Sequence, residues 1–401
     1  MRIAIDPWVL ASRFSHHGTH VYARNLVAQF HKLAASHAGV EFCLFRPSGN
    51  VNGDKLFQPS PGFELVAAPM VRNDRLWRLA GANRAAARSH ADLLFSPTSN
   101  TLAWGKVPVV ATIHDTTPTV MPSHSGRVNF MLRSLMRAAV KFSRAIITVS
   151  EYSKQDLIKT YGVAGEKISV VYNGYDRSVF NAAPVDAEKL RVLREKLGIR
   201  RPYVFHHSVI QPRKNLVRLI QAYRLLLEKN PSMELDLVLA GPLGWQYEGV
   251  VAAAQGHEHA RGRVLLPGAL ADVELAALIK GASLVVIPSL YEGFCLPMIE
   301  AMACGAAVIA SGTSCLPEVS GKTLRYFNPT SVEEMAEQMQ SVLCDAALAR
   351  ELQQRGLQRA EAFSWERCAE ETLRVLLNGA LNAATPCSEA ASRSIWFVPM
   401  Q

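Results

Sequence analysis

The sequence predicts an α/β protein made of two doubly wound, Rossmann-like domains that face each other across a cleft. Three observations indicate this fold: a length of 401 residues, short apolar runs that alternate with longer helical stretches, and a charged linker midway. Such alternation is typical of parallel sheets covered by helices. At roughly 100 to 200 residues per domain, a chain of this length contains two or three domains.

The apolar runs are short and lack polar alternation, as expected for strands buried on both faces of a sheet. In the first half they fall at residues 2–6, 41–46, 92–96, 107–114, 145–149 and 168–172. The second half repeats the rhythm at residues 203–207, 236–240, 263–266, 284–288 and 307–310. A turn signal and a helix follow each of the later runs, so we expect one parallel sheet in each half.

The linker covers residues 173–200 and separates the two sets of strands. It contains Asn173-Gly174, a proline and an amphipathic helix rich in Arg, Glu and Lys, which is typical of a surface connection. We therefore predict an N-terminal Rossmann-like domain over residues 1–185 and a C-terminal one over residues 186–365. Residues 366–401 are expected to form a C-terminal helix and a tail, with a return to the N-terminal domain as one option.

Composition excludes several classes of protein. Hydrophobic residues make up 49% and charged residues 19% of the chain, close to the globular norm of about 45 to 50% apolar, which excludes disorder as the main state. No uncharged run provides the roughly 18 apolar residues of a spanning helix, and from the strand-like start of the chain we expect no leader segment. The seven cysteines never form a C-x-x-C pair, so we expect reduced thiols and a cytoplasmic protein.

The positive charge is concentrated in the first half of the chain. Residues 1–185 hold 21 Lys and Arg against 11 Asp and Glu, a net +10, whereas the remainder holds 22 against 23, a net −1. A field of this sign attracts anions such as nucleic acid, lipid headgroups or a phosphorylated substrate. Composition alone does not choose among them.

Two basic clusters in this half have apolar or aromatic neighbours. The first is an amphipathic helix that carries Arg133, Arg137, Lys141 and Arg144. The second surrounds Trp77, an aromatic residue that we expect to be exposed. Its basic members are Arg72, Arg75, Arg78, Arg84 and Arg88. A surface helix with its apolar side in the core is one interpretation, and peripheral docking on the anionic inner face of the cell membrane is the other.

The most informative motif is a strand, a glycine turn and a helix over residues 288–305. Pro297 suits the first position of the helix and Gly305 the position just past its end, which places Glu300 in the first turn. The free N–H groups and partial positive charge at the helix start suit an anionic group such as a diphosphate. Glu292 lies on the preceding loop, so the two carboxylates flank the same end of the helix.

A pair of cations follows the first strand of the second half. Ligands bind outside the carboxyl ends of parallel strands, so Arg213 and Lys214 are expected to face the same cleft. Adjacent cations neutralise a leaving diphosphate without a metal. Since the chain contains no Asp-x-Asp pair for Mn²⁺ or Mg²⁺, we expect neither a metal nor a cofactor. For His206 and His207, which close this strand, we favour packing at the strand end.

These residues resemble the retaining glycosyltransferases of family four (group 1), which have the GT-B fold. The family signature E-G-F-G-L-P-x-x-E-A-M-A-C-G, preceded by P-S, is matched over residues 288–305 with one interior change. Similar motifs occur along nearly the whole chain. They include Gly18-Thr19-His20-Val21-Tyr22, His114-Asp115, Val171-Tyr172-Asn173-Gly174, Arg213-Lys214-Asn215 and Pro317-Glu318-Val319.

The resemblance implies roles for individual residues. Glu300 would bind the donor ribose, and Glu292 would bind hydroxyls of the reacting sugar. Arg213 and Lys214 would bind the diphosphate, which the Gly18 backbone would approach from the N-terminal domain. His114 would contact the transferred sugar. The rest of the implied donor site comprises Gly241, Gly293, Phe294, Cys295 and Leu296.

The implied activity is the transfer of a hexose, with mannose favoured, from a GDP- or UDP-linked donor to a glycan acceptor with retention of configuration. The acceptor would be a glycan, lipid-linked in cell-surface polysaccharide synthesis, bound on the side of the N-terminal domain. Two alternatives stay open. One is a GT-B phosphorylase or epimerase, and the other is a basic membrane- or polyanion-binding scaffold with an inactive pocket.

Three residues replace glycines of the family pattern, namely His20, Ser208 and Cys295. Each adds a side chain at a place where backbone approaches the ligand. Because the charged residues are intact, we expect an altered fit of the donor and retained activity.

Overall fold

A computed structural model describes residues 1–10, 18–46, 58–67, 77–99, 101, 105–121, 126–255 and 261–381 of the chain. These residues form two parallel sheets, one of seven and one of six strands, with helices in the connections between strands. The predicted α/β class with two doubly wound sheets is thereby confirmed.

The first sheet has the strand order β3-β2-β1-β4-β5-β6-β7, and its paired strands are parallel. Its strands are β1 (Arg2–Ile5), β2 (Glu41–Phe45), β3 (Phe63–Val66), β4 (Leu93–Ser96), β5 (Val109–Thr112), β6 (Ala145–Thr148) and β7 (Ile168–Val170). The order reverses at β1, so the space between β1 and β4 is a topological switch point where ligands bind in sheets of this kind.

The second sheet repeats this arrangement, with the order β10-β9-β8-β11-β12-β13 and parallel pairing throughout. Its strands are β8 (Tyr203–His207), β9 (Asp236–Ala240), β10 (Val264–Gly268), β11 (Leu284–Ile287), β12 (Val308–Ser311) and β13 (Arg325–Phe327). The switch point lies between β8 and β11, the two strands that precede the predicted cationic and acidic loops.

The α-helices of the described residues lie between these strands and after the last one. In the first half they are α1 (Gly18–Ser36), α2 (Ala82–Arg88), α3 (Thr117–Val120), α4 (Gly126–Phe142) and α5 (Glu151–Tyr161). In the second half they are α6 (Ala187–Lys196), α7 (Leu216–Lys229), α8 (Glu248–Ala254), α9 (Asp272–Gly281), α10 (Leu296–Ala303), α11 (Leu316–Val319), α12 (Val332–Leu343), α13 (Ala346–Ala360) and α14 (Trp365–Leu381).

The last helix, α14, packs against α1 in the N-terminal half of the chain. The amide of Gln29 donates to the carboxylate of Glu366 at 3.2 Å, and the rings of Tyr22 and Trp365 meet edge to face. Gly174, in the connection between the two halves, lies against the start of α14. A Cβ at this position would lie 2.1 Å from the backbone nitrogen of Trp365. Only glycine allows these two segments to approach so closely.

Two edge strands, β3 and β13, are not predicted from the sequence. Edge strands are less buried than central ones, so they need no continuous apolar run. Glu64 interrupts β3 and lies outside the core, and β13 begins at the exposed Arg325. The remaining strands coincide with the predicted apolar runs, and most of them are buried on both faces. The edge strands β7 and β10 are only partly buried, but their sequences are still largely apolar.

The expectation of an exposed Trp77 is wrong. Its side chain is 1% exposed, and its indole nitrogen donates to Asp6 Oδ1 at 3.0 Å. Burial raises the pKa of Asp6 despite this bond and one from Thr101. A tryptophan whose N–H finds a buried acceptor belongs to the core. The neighbouring Arg72 and Arg75 lie outside the described residues.

The two domains contact each other through polar groups beside the cleft. Both carboxylate oxygens of Glu318, on α11, accept from backbone N–H groups at the start of α5, those of Glu151 at 2.7 Å and Tyr152 at 2.8 Å. The hydroxyl of Tyr291 donates to Asp156 of α5 at 2.6 Å. A carboxylate at a helix N-terminus is stabilised by the free N–H groups and the helix dipole, so Glu318 holds the domains in this arrangement.

Candidate active site

The carboxyl ends of the two sheets enclose a cavity of about 600 Å³. Loops of both halves contribute to its wall, as expected for a ligand site at two facing switch points. Every residue to which the family resemblance assigns a role in the donor site lines this cavity. These residues are Gly18, His114, Arg213, Lys214, Gly241, Glu292, Gly293, Phe294, Cys295, Leu296 and Glu300.

The charged centre of the cavity is an ion triad. Arg213 Nη1 lies 2.6 Å from Glu292 Oε2, and Lys214 Nζ lies 2.6 Å from Glu292 Oε1. Burial alone would raise the pKa of Glu292, but the charges of Arg213 and Lys214 and their hydrogen bonds hold it at about 2. The carboxylate is therefore ionised, and the triad carries one net positive charge into the cavity.

The two cations are held by a short turn after β8. Residues Pro212–Lys214 form a single 3-10 turn that ends at Asn215, whose φ is +59°. The side-chain amide of Asn215 donates to the carbonyl oxygens of Pro288 at 3.1 Å and Pro329 at 2.7 Å. This amide ties the cationic turn to the end of β11, which explains why Arg213 and Lys214 meet Glu292.

The helix that follows the Glu292 loop begins one residue earlier than predicted. Cys295 is its N-cap with φ at +73°, and Pro297 occupies the second helical position. Glu300 therefore lies in the second turn, so the placement in the first turn is wrong. Gly305 ends the helix at φ +73° as predicted. The start of α10 still faces the cavity through Cys295 and Leu296, and its free N–H groups suit an anion.

Glu300 is held by a residue that the sequence motifs do not assign to the site. His207 Nε2 lies 2.9 Å from Glu300 Oε2, and both residues line the cavity. His207 is buried at the strand end, as expected, and it also contacts a residue of the predicted site. Because consecutive residues of a strand point to opposite faces of the sheet, His206 and His207 are directed to opposite sides of β8.

His206 is the histidine that packs inside the sheet. Its Nδ1 donates to the carbonyl oxygen of Val286 at 2.8 Å, and its Nε2 lies 2.8 Å from the hydroxyl of Ser208. Burial lowers the pKa of His206 to about 3, so the ring is neutral. The same bonds fix Ser208, which lines the cavity at the end of β8.

The N-terminal side of the cavity is formed by the ends of β5 and the start of α1. His114 Nε2 donates to the carbonyl oxygen of Pro97 at 3.0 Å, and its ring meets Tyr22 edge to face at 4.7 Å. Burial lowers the pKa of His114. The ring is neutral, and with Nε2–H engaged its Nδ1 is an acceptor for a ligand hydroxyl.

The three residues that replace glycines of the family pattern do not share one environment. Ser208 and Cys295 line the cavity, as expected. His20 lies in the first turn of α1 with 9% exposure, and its Nδ1 donates to the carbonyl oxygen of Val9 at 2.9 Å. It is directed into the core and is not part of the cavity wall, so the expectation of a side chain near the ligand is wrong for His20.

Cys295 adds a neutral group beside the triad. Burial and the charge of Glu292 raise the pKa of its thiol to about 12. At neutral pH the thiol is protonated, so it adds no negative charge where an anion would bind.

Two consecutive domains face a cleft with a cationic centre and a helix start, which defines a GT-B type fold. The profile described as Glycosyltransferase Family 4 matches residues 17–179, and that described as Glycosyl transferases group 1 matches residues 191–359. A solved structure, sucrose-phosphate synthase from Thermosynechococcus elongatus, superposes with a TM-score of 0.73 at 21% identity, covering 96% of this chain and 100% of that one.

Two of the relatives from Escherichia coli show the likeness in sequence. The O-antigen chain mannosyltransferase B is 31% identical over 266 residues, which covers 66% of this chain and 68% of the relative. The serotype-specific mannosyltransferase WbdA is 32% identical over 264 residues, 65% of this chain, and the match spans only 32% of WbdA. The chain belongs to glycosyltransferase family 4 (group 1), as the sequence motifs predict.

No helix in the described part of the chain is both long and apolar enough to cross a membrane.

Proposed function

We propose that this protein transfers a hexosyl group from a nucleotide diphosphate sugar to a glycan acceptor, with retention of configuration at the anomeric carbon. The observation that carries the proposal is the convergence of Arg213, Lys214, Glu292 and Glu300 on one cavity at the β8/β11 switch point. Two cations around one carboxylate suit a doubly charged leaving group better than a neutral ligand.

The donor would lie along the wall formed by the C-terminal domain. Arg213 has five N–H donors and Lys214 three, so both have donors left for a diphosphate while they hold Glu292. The start of α10 would add backbone N–H groups. Glu300, further along the helix, would accept from hydroxyls of the ribose, and Glu292 from hydroxyls of the transferred sugar.

The chemical step would need no divalent cation. As the bond from the anomeric carbon to the phosphate oxygen breaks, negative charge develops on the diphosphate, and Arg213 and Lys214 are preorganised to stabilise it. The acceptor oxygen would bond to the anomeric carbon on the same face, and its proton would pass to the departing phosphate oxygen. His114, neutral and opposite Glu292, would orient the sugar through Nδ1.

The donor is proposed to be GDP- or UDP-linked, with mannose favoured because both Escherichia coli relatives are mannosyltransferases by name. The acceptor is proposed to be a glycan, lipid-linked during cell-surface polysaccharide synthesis. The first half of the chain carries a net +10, and this field would attract a phosphorylated lipid carrier.

Peripheral contact with an anionic membrane is proposed for α4. Phe130 is 69% exposed on this helix, and Arg137 and Lys141 are exposed beside it. Basic and apolar side chains on one helix suit anionic lipid. Sedimentation with vesicles of anionic lipid should fall for Phe130→Ser and Arg137→Ala, and neutral vesicles are the control. Equal sedimentation of variants and wild type would exclude α4 as the contact.

The transferase proposal is tested with a panel of nucleotide sugars in the presence of a chelator. Wild-type protein should hydrolyse or transfer at least one sugar, and Lys214→Ala and Glu292→Ala should each lose at least about 100-fold in kcat/KM. Lys189→Ala, an exposed lysine on α6, is the matched control. Full activity in both site variants would refute the site. If UDP and GDP do not raise the melting temperature and the protein binds polyanions in a salt-sensitive manner, the scaffold alternative is favoured.

A further inference from the structure

His207 and Glu300 form a buried polar pair at one end of the cavity. The side chain of His207 is 7% exposed and that of Glu300 is 15% exposed. A carboxylate has no proton to give, so the 2.9 Å contact is a hydrogen bond donated by His207 Nε2–H to Glu300 Oε2. Among the described side chains, His207 is the one that holds this carboxylate, and Oε1 is left for a ligand.

The other ring nitrogen of His207 has no hydrogen-bond partner among the residues that the structure describes. Nδ1 is buried and makes no hydrogen bond within the described residues. An unpaired buried polar atom costs free energy that an apolar residue at this position would avoid. Packing therefore does not explain a histidine at the end of β8, whereas the bond to Glu300 does.

A second carboxylate lies near the pair and repels Glu300. Asp272, at the start of α9, lines the same part of the cavity. Burial and the negative charges of Glu300 and Asp176 raise the pKa of Asp272, and His207 lowers it. Two carboxylates at one end of a cavity repel each other. The hydrogen bond from His207, at the end of β8, opposes this repulsion on Glu300.

We propose that His207 is a positioning residue that fixes Glu300 so that its free carboxylate oxygen accepts from the ribose hydroxyls of the nucleotide. The proposal rests on the proposed function, in which a nucleoside diphosphate occupies this cavity. A carboxylate with one oxygen held and one oxygen free accepts from a vicinal diol, and it gains nothing from a sugar that lacks both hydroxyls. His207 thereby contributes to the selectivity for ribonucleotides.

The test is calorimetric titration with UDP, GDP and the 2′,3′-dideoxy forms of both. His207→Ala should weaken binding of the ribonucleotide about tenfold and leave binding of the dideoxy form unchanged. His207→Gln, whose amide can donate at the position of Nε2, should restore most of the loss. In the Glu300→Ala background, His207→Ala should have no further effect, because the two residues act as one unit. In the transfer assay, KM for the donor should rise while kcat is unchanged.

Several outcomes would overturn the proposal. An equal loss of affinity for the ribo and dideoxy forms would show a general structural role, as would additive losses in the double variant. If His207→Ala binds UDP or GDP as tightly as wild type does, the role of His207 is refuted while the proposed function stands. Wild type that binds neither UDP nor GDP would refute the proposed function together with this proposal. Melting curves of His207→Gln identify any loss of folding.

Discussion

The hydroxyl of Ser150, at the end of the strand β6, donates to the carbonyl oxygen of Gly293 in the opposite domain at 2.7 Å. Gly293 directly follows the acidic residue of the ion triad, so this bond connects the triad loop to the N-terminal domain. Gly293 also lies close to His114 of the N-terminal domain, because a Cβ on Gly293 would lie 2.1 Å from the carbonyl oxygen of His114. The relative position of the two predicted sugar-contacting residues, His114 and Glu292, depends on a glycine at position 293.

Gly293→Ala should therefore separate the two walls of the cavity. The added methyl group cannot fit at 2.1 Å from a carbonyl oxygen, so the loop or the domain must shift. A shift of about 1 Å costs on the order of 100-fold in rate when groups must be aligned. We expect a loss of this size in kcat/KM. Gly249→Ala, where the nearest atom lies 3.9 Å away, is the control, and equal activity of the two variants would contradict this role of Gly293.

Glu318→Ala should weaken the contact between the domains. The variant loses two backbone hydrogen bonds at the start of α5 and one from Tyr172, which lies 3.0 Å away. Hydrogen bonds to a charged group contribute about 1.5 to 3 kcal/mol, so we expect a lower melting temperature and a larger radius of gyration in solution scattering. Glu370→Ala, exposed on α14, should change neither. An unchanged radius and melting temperature for Glu318→Ala would show that Glu318 does not hold the domains.

Cys295 occupies a backbone conformation that favours glycine, with φ at +73°. Cys295→Gly should keep transfer activity and change the free energy of unfolding by less than about 1 kcal/mol, because relief of strain offsets the lost packing. Cys295→Val places a branched side chain at the same φ and should destabilise the protein by about 2 kcal/mol. Urea unfolding measures both. Cys344→Val, at an exposed cysteine, is the control, and a Cys295→Val protein as stable as this control would show that the strain is absent.

The ion triad predicts a dependence of stability on pH. The pKa of Glu292 is about 2 in the folded protein, below its ordinary value of 4.5. The ionised carboxylate therefore stabilises the folded state above about pH 4.5, and this contribution is lost as the pH falls toward about 2. The difference in free energy of unfolding between wild type and Glu292→Gln should shrink over that range. A difference that stays constant with pH would contradict the assignment, and Glu337→Gln, exposed on α12, is the control.

The fold could be predicted from the sequence because most of its strands are buried on both faces and read as continuous apolar runs. The two strands that the sequence does not predict, β3 and β13, are edge strands in which Glu64 and Arg325 break the apolar pattern. Trp77 was unpredictable for another reason. Its burial depends on Asp6, a partner 71 positions away, and local sequence carries no information about such a bond.

The predicted site residues line one cavity because each follows a strand whose carboxyl end faces the cleft. The sequence predicts Glu300 in the first turn of α10, but it lies in the second turn. The reason is that Cys295 adopts a left-handed conformation as the N-cap, so the helix starts at Leu296. The contact between His207 and Glu300 joins positions 93 apart. Strand alternation indicates that His206 and His207 point in opposite directions, but only the position of Glu300 on α10 decides which one meets a carboxylate.

The most direct test of the proposed donor site is a crystal structure with GDP or UDP bound. We expect the diphosphate within about 3 Å of Arg213 and Lys214 and the ribose hydroxyls at Glu300. Density for the nucleotide at any other place on the protein, with the space between the two domains empty, would contradict the assignment of this cavity as the donor site.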